Sequence, residues 1–147
     1  MGDRMALMGR AVALLSRHLP SGCRMYLSDY VESEPWGYDS DNLYLNRGIL
    51  IITPCAVDPH AMLDITQGIE TAIAGSEPHR NPDGSYRDRP IDIDIIDIDG
   101  LQIHSDRLIL PHPRARLRPF VYGPMAALNA VYPAEAPCNI ELHISDA

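Results

Sequence analysis

Asp92 and Asp94 are the residues of this chain whose types and spacing most clearly invite chemistry. They lie in Arg89-Pro90-Ile91-Asp92-Ile93-Asp94-Ile95, part of an alternation of aspartate and isoleucine that continues to Asp99. β-Branched residues at period two, closed by Asp99-Gly100, predict a strand entering a tight turn, so the two aspartates share a face. Two carboxylates on adjacent same-face positions of a half-buried strand repel each other unless a cation or an arginine neutralises them. A hard ion such as Mg²⁺ accepts carboxylate oxygens in this way. Spacing alone fits a solvated edge strand equally well. Beyond Asp94, strict alternation predicts that the aspartate face continues as Ile96 and Ile98, while Asp97 and Asp99 turn to the other side.

The positive charge gathers around the same stretch. All 12 basic residues are arginine, and seven of them (Arg80, Arg87, Arg89, Arg107, Arg114, Arg116 and Arg118) fall between positions 80 and 118. Arginine forks bind phosphate oxygens bidentately, so arginines beside a Mg²⁺ site point to a polyphosphate ligand. Pairing with the acids of the same interval is the simpler account, and a count does not separate the two. A net charge of -8 disfavours nucleic acid as a partner. No apolar run has the length of a membrane span, and the first residues lack the order of a signal peptide, so a cytoplasmic location is expected. Cys23, Cys55 and Cys138 are scattered without C-x-x-C spacing, which argues against a zinc site or a disulfide framework and for buried or inert thiols.

The 147 residues, 46% of them hydrophobic, are enough for one domain with a real core. Asp3 is placed to cap a helix running to about His18, with Met5, Met8, Val12 and Leu15 on its apolar side. Arg24 to Val31 predicts a strand, Glu34 to Asn42 a polar loop, and Leu43 to Thr53 a second strand. Asp58-Pro59 reads as a helix start, with Met62, Ile65, Ile69 and Ile73 recurring on one side to about Ala74. Gly75 to Tyr86 is a turn-rich loop, and long loops in compact domains are often functional. Ile91 to Ile98 is expected to form a hairpin with Leu101 to His104 across Asp99-Gly100. A short helix from Pro124 to Val131 and a last strand from Asn139 to Ile144 follow. This order predicts an α+β fold, a mainly antiparallel sheet with helices on its faces.

Four segments read together resemble one family: Asn42-Leu43-Tyr44-Leu45-Asn46, Thr66-Gln67-Gly68-Ile69-Glu70, the aspartate strand, and Pro111-His112-Pro113-Arg114 with Arg118-Pro119-Phe120. The family is 6-hydroxymethyl-7,8-dihydropterin pyrophosphokinase (HPPK), of folate biosynthesis. A D-x-D strand followed by this histidine, arginine and phenylalanine is specific in combination, whereas D-x-D alone is weak. The resemblance implies a ferredoxin-like αβ sandwich that moves the terminal diphosphate of ATP onto the pterin hydroxymethyl oxygen with two Mg²⁺ ions. By position, Asp92 and Asp94 would be the metal ligands. Gln67, Glu70, Tyr86, Arg89, Ile95, Arg107, His112 and Arg118 would surround ATP, with Arg89, His112 and Arg118 as the catalytic phosphate contacts. Tyr44 and Phe120 would sandwich the pterin, Asn46 would hydrogen-bond its amide edge, and Ser33 and Trp36 would add loop contacts. Phe120 is the chain's only phenylalanine, so this domain does not fill its core with that residue. No strong general base stands out, and phosphoryl-type transfer can proceed mainly by positioning and electrostatics.

The resemblance also carries two departures. The family opens with a strand inside the sheet, and Met1-Gly2-Asp3-Arg4 falls about where the first helix should begin. The expectation is a single domain over 1–147, N-terminally truncated relative to the family, with unpaired backbone at the site of the missing strand. Such a protein would be monomeric with the full sheet and prone to edge pairing without it. In the Gly75 to Tyr86 loop, Ser76 and Pro78 stand where the family usually has basic residues, and Arg80 or Arg87 would have to substitute. A relative that binds nucleotide or pterin without turnover is the alternative that these departures leave open.

Overall fold

The computed structural model describes residues 2–33, 43–74, 91–132 and 138–146. Helix α1 (Gly2–His18) is followed by strands β1 (Arg24–Leu27), β2 (Val31–Ser33) and β3 (Tyr44–Thr53), then helix α2 (Pro59–Ala74). Strand β4 (Asp92–Ile98), the short pair β5 (Ile103–His104) and β6 (Ile109–Leu110), helix α3 (Pro119–Val131) and strand β7 (Cys138–Ser145) complete it. The main sheet runs β1-β3-β7-β4, with β2 also pairing with β3, and its described pairings are antiparallel. The fold is α+β, an open ferredoxin-like sandwich. No described helix is long and apolar enough to cross a membrane.

The two faces are covered differently. Met8, Ala11 and Leu15 of α1 and Met62, Leu63 and Ile69 of α2 close over Leu45, Ile49, Ile51, Ile93, Ile95, Ile98, Ile140 and Leu142 in the main core. The buried line of α1 therefore runs through Ala11, not through the expected Met5, which is 38% exposed. Asp3 lies inside α1 and not ahead of it. The Asp58 carbonyl accepts the Met62 N–H at 3.0 Å, as the predicted start of α2 requires. On the opposite face α3 packs against β3 through Leu50, Met125 and Leu128. Gly48 makes that approach possible: a Cβ there would stand 3.3 Å from Pro124 Cβ and 3.4 Å from Leu128 Cδ1.

The predicted strand from Arg24 to Val31 is two strands. Ser28 interrupts it, donating its N–H to the Gly48 carbonyl at 3.0 Å and accepting the Gly48 N–H on Oγ at 2.8 Å. The expected hairpin across Asp99-Gly100 does not form either. Both residues are left-handed, at φ 53° and 72°, as a tight turn demands. The Leu101 N–H closes that turn on the Ile98 carbonyl at 2.9 Å, but Ile103 and His104 then pair with Leu110 and Ile109. Helix α3 starts at Pro119 rather than Pro124, because Pro119 takes the first helical position, where no N–H is needed.

The largest difference concerns the centre of the sheet. In place of a gap left by a missing first strand, β7 lies between β3 and β4, antiparallel to both. Asn46 to Thr53 pair with Ser145 to Cys138, and β4 pairs along the other side of β7. Asp146 then locks the end of the strand. Its Oδ1 accepts the Leu45 N–H at 2.7 Å and its Oδ2 pairs with Arg4 Nε at the start of α1. The backbone groups and core surface expected to lie open are thus covered by a strand from the other end of the chain.

Candidate active site

A bulge in β4 decides which aspartates share a face. Ile95 pairs with Leu142 and Asp97 with Glu141, so Ile96 is the inserted residue. Alternation resumes one step out of phase. Asp92, Asp94 and Asp97 therefore share the α3 face, while Ile93, Ile95 and Ile98 enter the main core, contrary to the sequence expectation for Ile98 and Asp97. Ile96 packs with Ala115, Val121 and Phe120 under the start of α3.

The strand is at the edge of the main sheet, but it is not simply solvated. Glu70 on α2 accepts the Ile93 N–H on Oε2 at 2.8 Å, and the His112 N–H donates to the Ile96 carbonyl, freed by the bulge, at 2.8 Å. Glu70 is thus a fastener for the aspartate strand as well as a wall of the cleft beside it. That cleft, about 330 Å³, is lined by Asp92, Asp94, Ile95, Gln67, Glu70, Arg107 and His112 of the expected residues, together with Leu63, Ile93, Asp106, Leu108, Ile109 and Pro113.

Arg107 is held over the cleft mouth by Asp64 Oδ1 at 2.6 Å and Gln67 Oε1 at 3.2 Å. Both partners of the ion pair are more than half exposed, so it is weak. Its loop is braced by Ser105, whose Oγ accepts the Leu108 N–H at 3.1 Å and whose own N–H donates to the Leu108 carbonyl at 2.9 Å. His112 Nδ1 accepts the Arg114 N–H at 3.2 Å, which leaves the proton of the neutral ring on Nε2. Burial first, then the charges of Arg118 and Arg114, hold its pKa below the usual histidine value, against the pull of Asp92. His112 is accordingly a neutral donor at pH 7. Asp92 and Asp94, about 7 Å apart along the strand, form a donor set suited to a hard cation that completes its shell with water and phosphate oxygens. Among the described residues no third histidine, cysteine, aspartate or glutamate joins them in a cluster of ligands.

Of the expected ring-binding residues, the described ones (Ser33, Tyr44, Asn46 and Phe120) lie on the same face. Register places Asn46, Ser145 and Asp92 in one row across the sheet and Gly48, His143 and Asp94 in the next. Asn46 is 1% exposed, and its Nδ2 donates to Ser33 Oγ at 2.7 Å and to the Val31 carbonyl at 3.0 Å. The amide is thereby fixed, with Oδ1 as its acceptor. Tyr44 pairs with Ser33 at the start of β3, and Phe120 sits at the start of α3, both half-buried. Trp36, Tyr86 and Arg89, and with them the Gly75 to Tyr86 loop, lie outside the described residues. Sequence reasoning missed His143, Ser145 and Asp106. For the first two the signal was present in Asn139, Glu141, His143 and Ser145, the polar half of an alternation whose other half is Cys138, Ile140, Leu142 and Ile144. Cys55 is exposed, so only Cys138 fully meets the expectation of a buried thiol.

Fold and site define a ferredoxin-like α+β protein with a carboxylate pair on one sheet face, a cleft at the sheet edge and arginine at the cleft mouth. Residues 1–130 match the family model described as 7,8-dihydro-6-hydroxymethylpterin-pyrophosphokinase (HPPK), and the chain belongs to that family. It is 34% identical over 139 residues to a Porphyromonas gingivalis protein named 2-amino-4-hydroxy-6-hydroxymethyldihydropteridine pyrophosphokinase, covering 93% of this chain and 90% of that one. A Bacillus subtilis protein of the same name is 33% identical over 127 residues, 86% of this chain and 71% of that one. The folate synthesis bifunctional protein of Arabidopsis thaliana is 34% identical over 128 residues, 86% of this chain and 25% of its own length.

Proposed function

We propose that this protein transfers the terminal diphosphate of ATP to the hydroxymethyl group of 6-hydroxymethyl-7,8-dihydropterin, giving AMP and the pterin diphosphate. The hydroxymethyl oxygen forms a bond to the β-phosphorus of ATP as its proton passes to solvent, and the bond from that phosphorus to the oxygen bridging the α-phosphate breaks, its electron pair leaving with AMP. The observation that carries the reading is the convergence of Asp92, Asp94, Gln67, Glu70, Arg107 and His112 on one cleft, next to a sheet face bearing Asn46 and Phe120.

In this reading Asp92 and Asp94 hold Mg²⁺, two ions by family resemblance, which when bound screens charge on the phosphate oxygens. His112 donates from Nε2 to a phosphate oxygen, and Arg118 and Arg107 supply positive charge where it accumulates during transfer. Arg89 and Tyr86 complete the nucleotide contacts. Tyr44 and Phe120 stack on the pterin, Asn46 accepts from its amide edge through Oδ1, and Ser33 and Trp36 close the rim. In the same reading the protein is a single-domain cytoplasmic protein without nucleic acid, and a monomer, which β7 supports by filling the slot that would otherwise pair with another chain.

The test is AMP release from ATP with the reduced pterin and Mg²⁺. Asp92→Ala and Asp94→Ala are each expected to lower turnover by at least about 100-fold with little change in pterin binding. Full activity in either variant removes the metal assignment, and ATP binding without AMP release from the native chain returns the protein to the noncatalytic class.

A further inference from the structure

His143 sits on the central strand, beyond the residues that match the family model. No family role is therefore carried onto it. It is 3% exposed, and both ring nitrogens are buried without a hydrogen-bond partner among the described residues. Across the ladders its neighbours are Gly48 on β3 and Asp94 on β4, so its side chain rises from the face that carries the carboxylate pair. The ring of Phe120 lies 6.1 Å away, tilted by 52°. Burial first, and then the charges of Arg118 and His112, weaken its hold on a proton.

A buried donor and a buried acceptor that both lack partners are unfavourable, and buried polar atoms in folded proteins are nearly always satisfied. Leucine or valine would fill a central-strand position without that penalty. The missing partner has to suit a neutral imidazole, one N–H and one lone pair, lodged between an aromatic ring and a carboxylate. A phosphate oxygen offers only acceptors. An alcohol offers both a donor and an acceptor, and the acceptor alcohol of the proposed reaction must come to the carboxylate pair while its ring lies on Phe120.

We propose that His143 is a further substrate-contacting residue, whose ring hydrogen-bonds the hydroxymethyl group of the pterin and aims its oxygen along the Asp94 side of the site. Because the ring of His143 is buried, the contact requires the half-buried Phe120, 6.1 Å from it, to shift as the pterin binds. The inference rests on the proposed pterin-accepting reaction and adds to it the residue that orients the nucleophile.

Steady-state kinetics separate this from a merely structural histidine. His143→Leu is expected to lower kcat/KM for the pterin about fivefold to tenfold and to leave KM for ATP unchanged. His143→Asn, which keeps a donor and an acceptor, recovers most of the loss. In the wild-type protein with ¹⁵N-labelled histidine, the His143 ring signals, assigned by their absence in His143→Asn, shift when the pterin is added with α,β-methylene ATP. Wild-type protein that binds pterin with no change in those signals, or a leucine variant with unchanged kcat/KM, overturns this inference alone. Wild-type protein that neither binds nor converts the pterin overturns the proposed function and this inference with it.

Discussion

Lowering the pH from 7 to 5 is expected to weaken the wild-type fold by about 2 kcal/mol more than it weakens a His143→Leu variant. Burial, then the charges of Arg118 and His112, hold the His143 pKa down to about 4. The flanking groups are Asp94 and Gly48 across the ladders and Phe120 above. In the unfolded chain the same ring titrates near 6.5. Because the folded value is the lower one, the unfolded state takes up the proton first. Stability from this residue is complete above about 6.5 and falls as the pH drops toward 4. The full gap is worth about 3 kcal/mol, and the interval from pH 7 to pH 5 covers about 2 of it. Equilibrium urea unfolding of both proteins at the two pH values gives four free energies, and their double difference cancels the other titrating groups. With a slope near 2 kcal/mol/M, the wild-type midpoint should fall by about 1 M more than that of the variant. A double difference near zero would mean that His143 is either protonated or well solvated in the fold, and the reasoning would fail.

Three further outcomes follow from other parts of the structure. Gly48→Val places methyl groups against the Pro124 ring and the Met125 backbone, and should destabilise by about 2 kcal/mol and raise KM for the pterin as α3 lifts, read by thermal unfolding and kinetics. Asp146→Ala removes the acceptor of the Leu45 N–H and the partner of Arg4, with the carboxylate only 4% exposed, and should lower stability by about 2 kcal/mol in urea without altering the cleft residues. Excess EDTA should stop AMP release and added Mg²⁺ restore it; turnover indifferent to the chelator would exclude the role given to Asp92 and Asp94.

Much of this was legible before the fold was known, for reasons tied to period and local chemistry. Asp58-Pro59 marks the start of α2 because cap and proline act locally, and Asp99-Gly100 turns because both residues tolerate positive φ. Gln67, Glu70, Arg107 and His112, grouped by family resemblance and not by periodicity, line one cleft. What failed was non-local. The extra residue at Ile96 inverts the faces of β4 after Asp94, and a run of isoleucines and aspartates carries no mark of which one is inserted. The partner of β4 is β7, some 40 positions away, whereas the tight turn offered a nearer one. The buried line of α1 runs through Ala11, which a periodicity of large side chains does not foresee.

The position of β7 has a consequence for how the chain is made. By the time residue 98 has been synthesised, β3 and β4 both exist, but neither can join the other, since β7 lies between them. The sheet closes only when residues 138–145 arrive, and the pairing of Asn46 with Ser145 spans most of the sequence. Contacts so distant along the chain slow folding and leave strand edges open in the meantime. A growing chain therefore carries two unsatisfied edges from residue 98 onward, and the segment that seals them also brings His143 and Asp146. Completion of the sheet and completion of the acceptor site thus coincide in one late event, so a nascent chain halted before residue 138 would hold the aspartates on a strand tied to Glu70 and His112 but not yet joined to the face that carries Asn46.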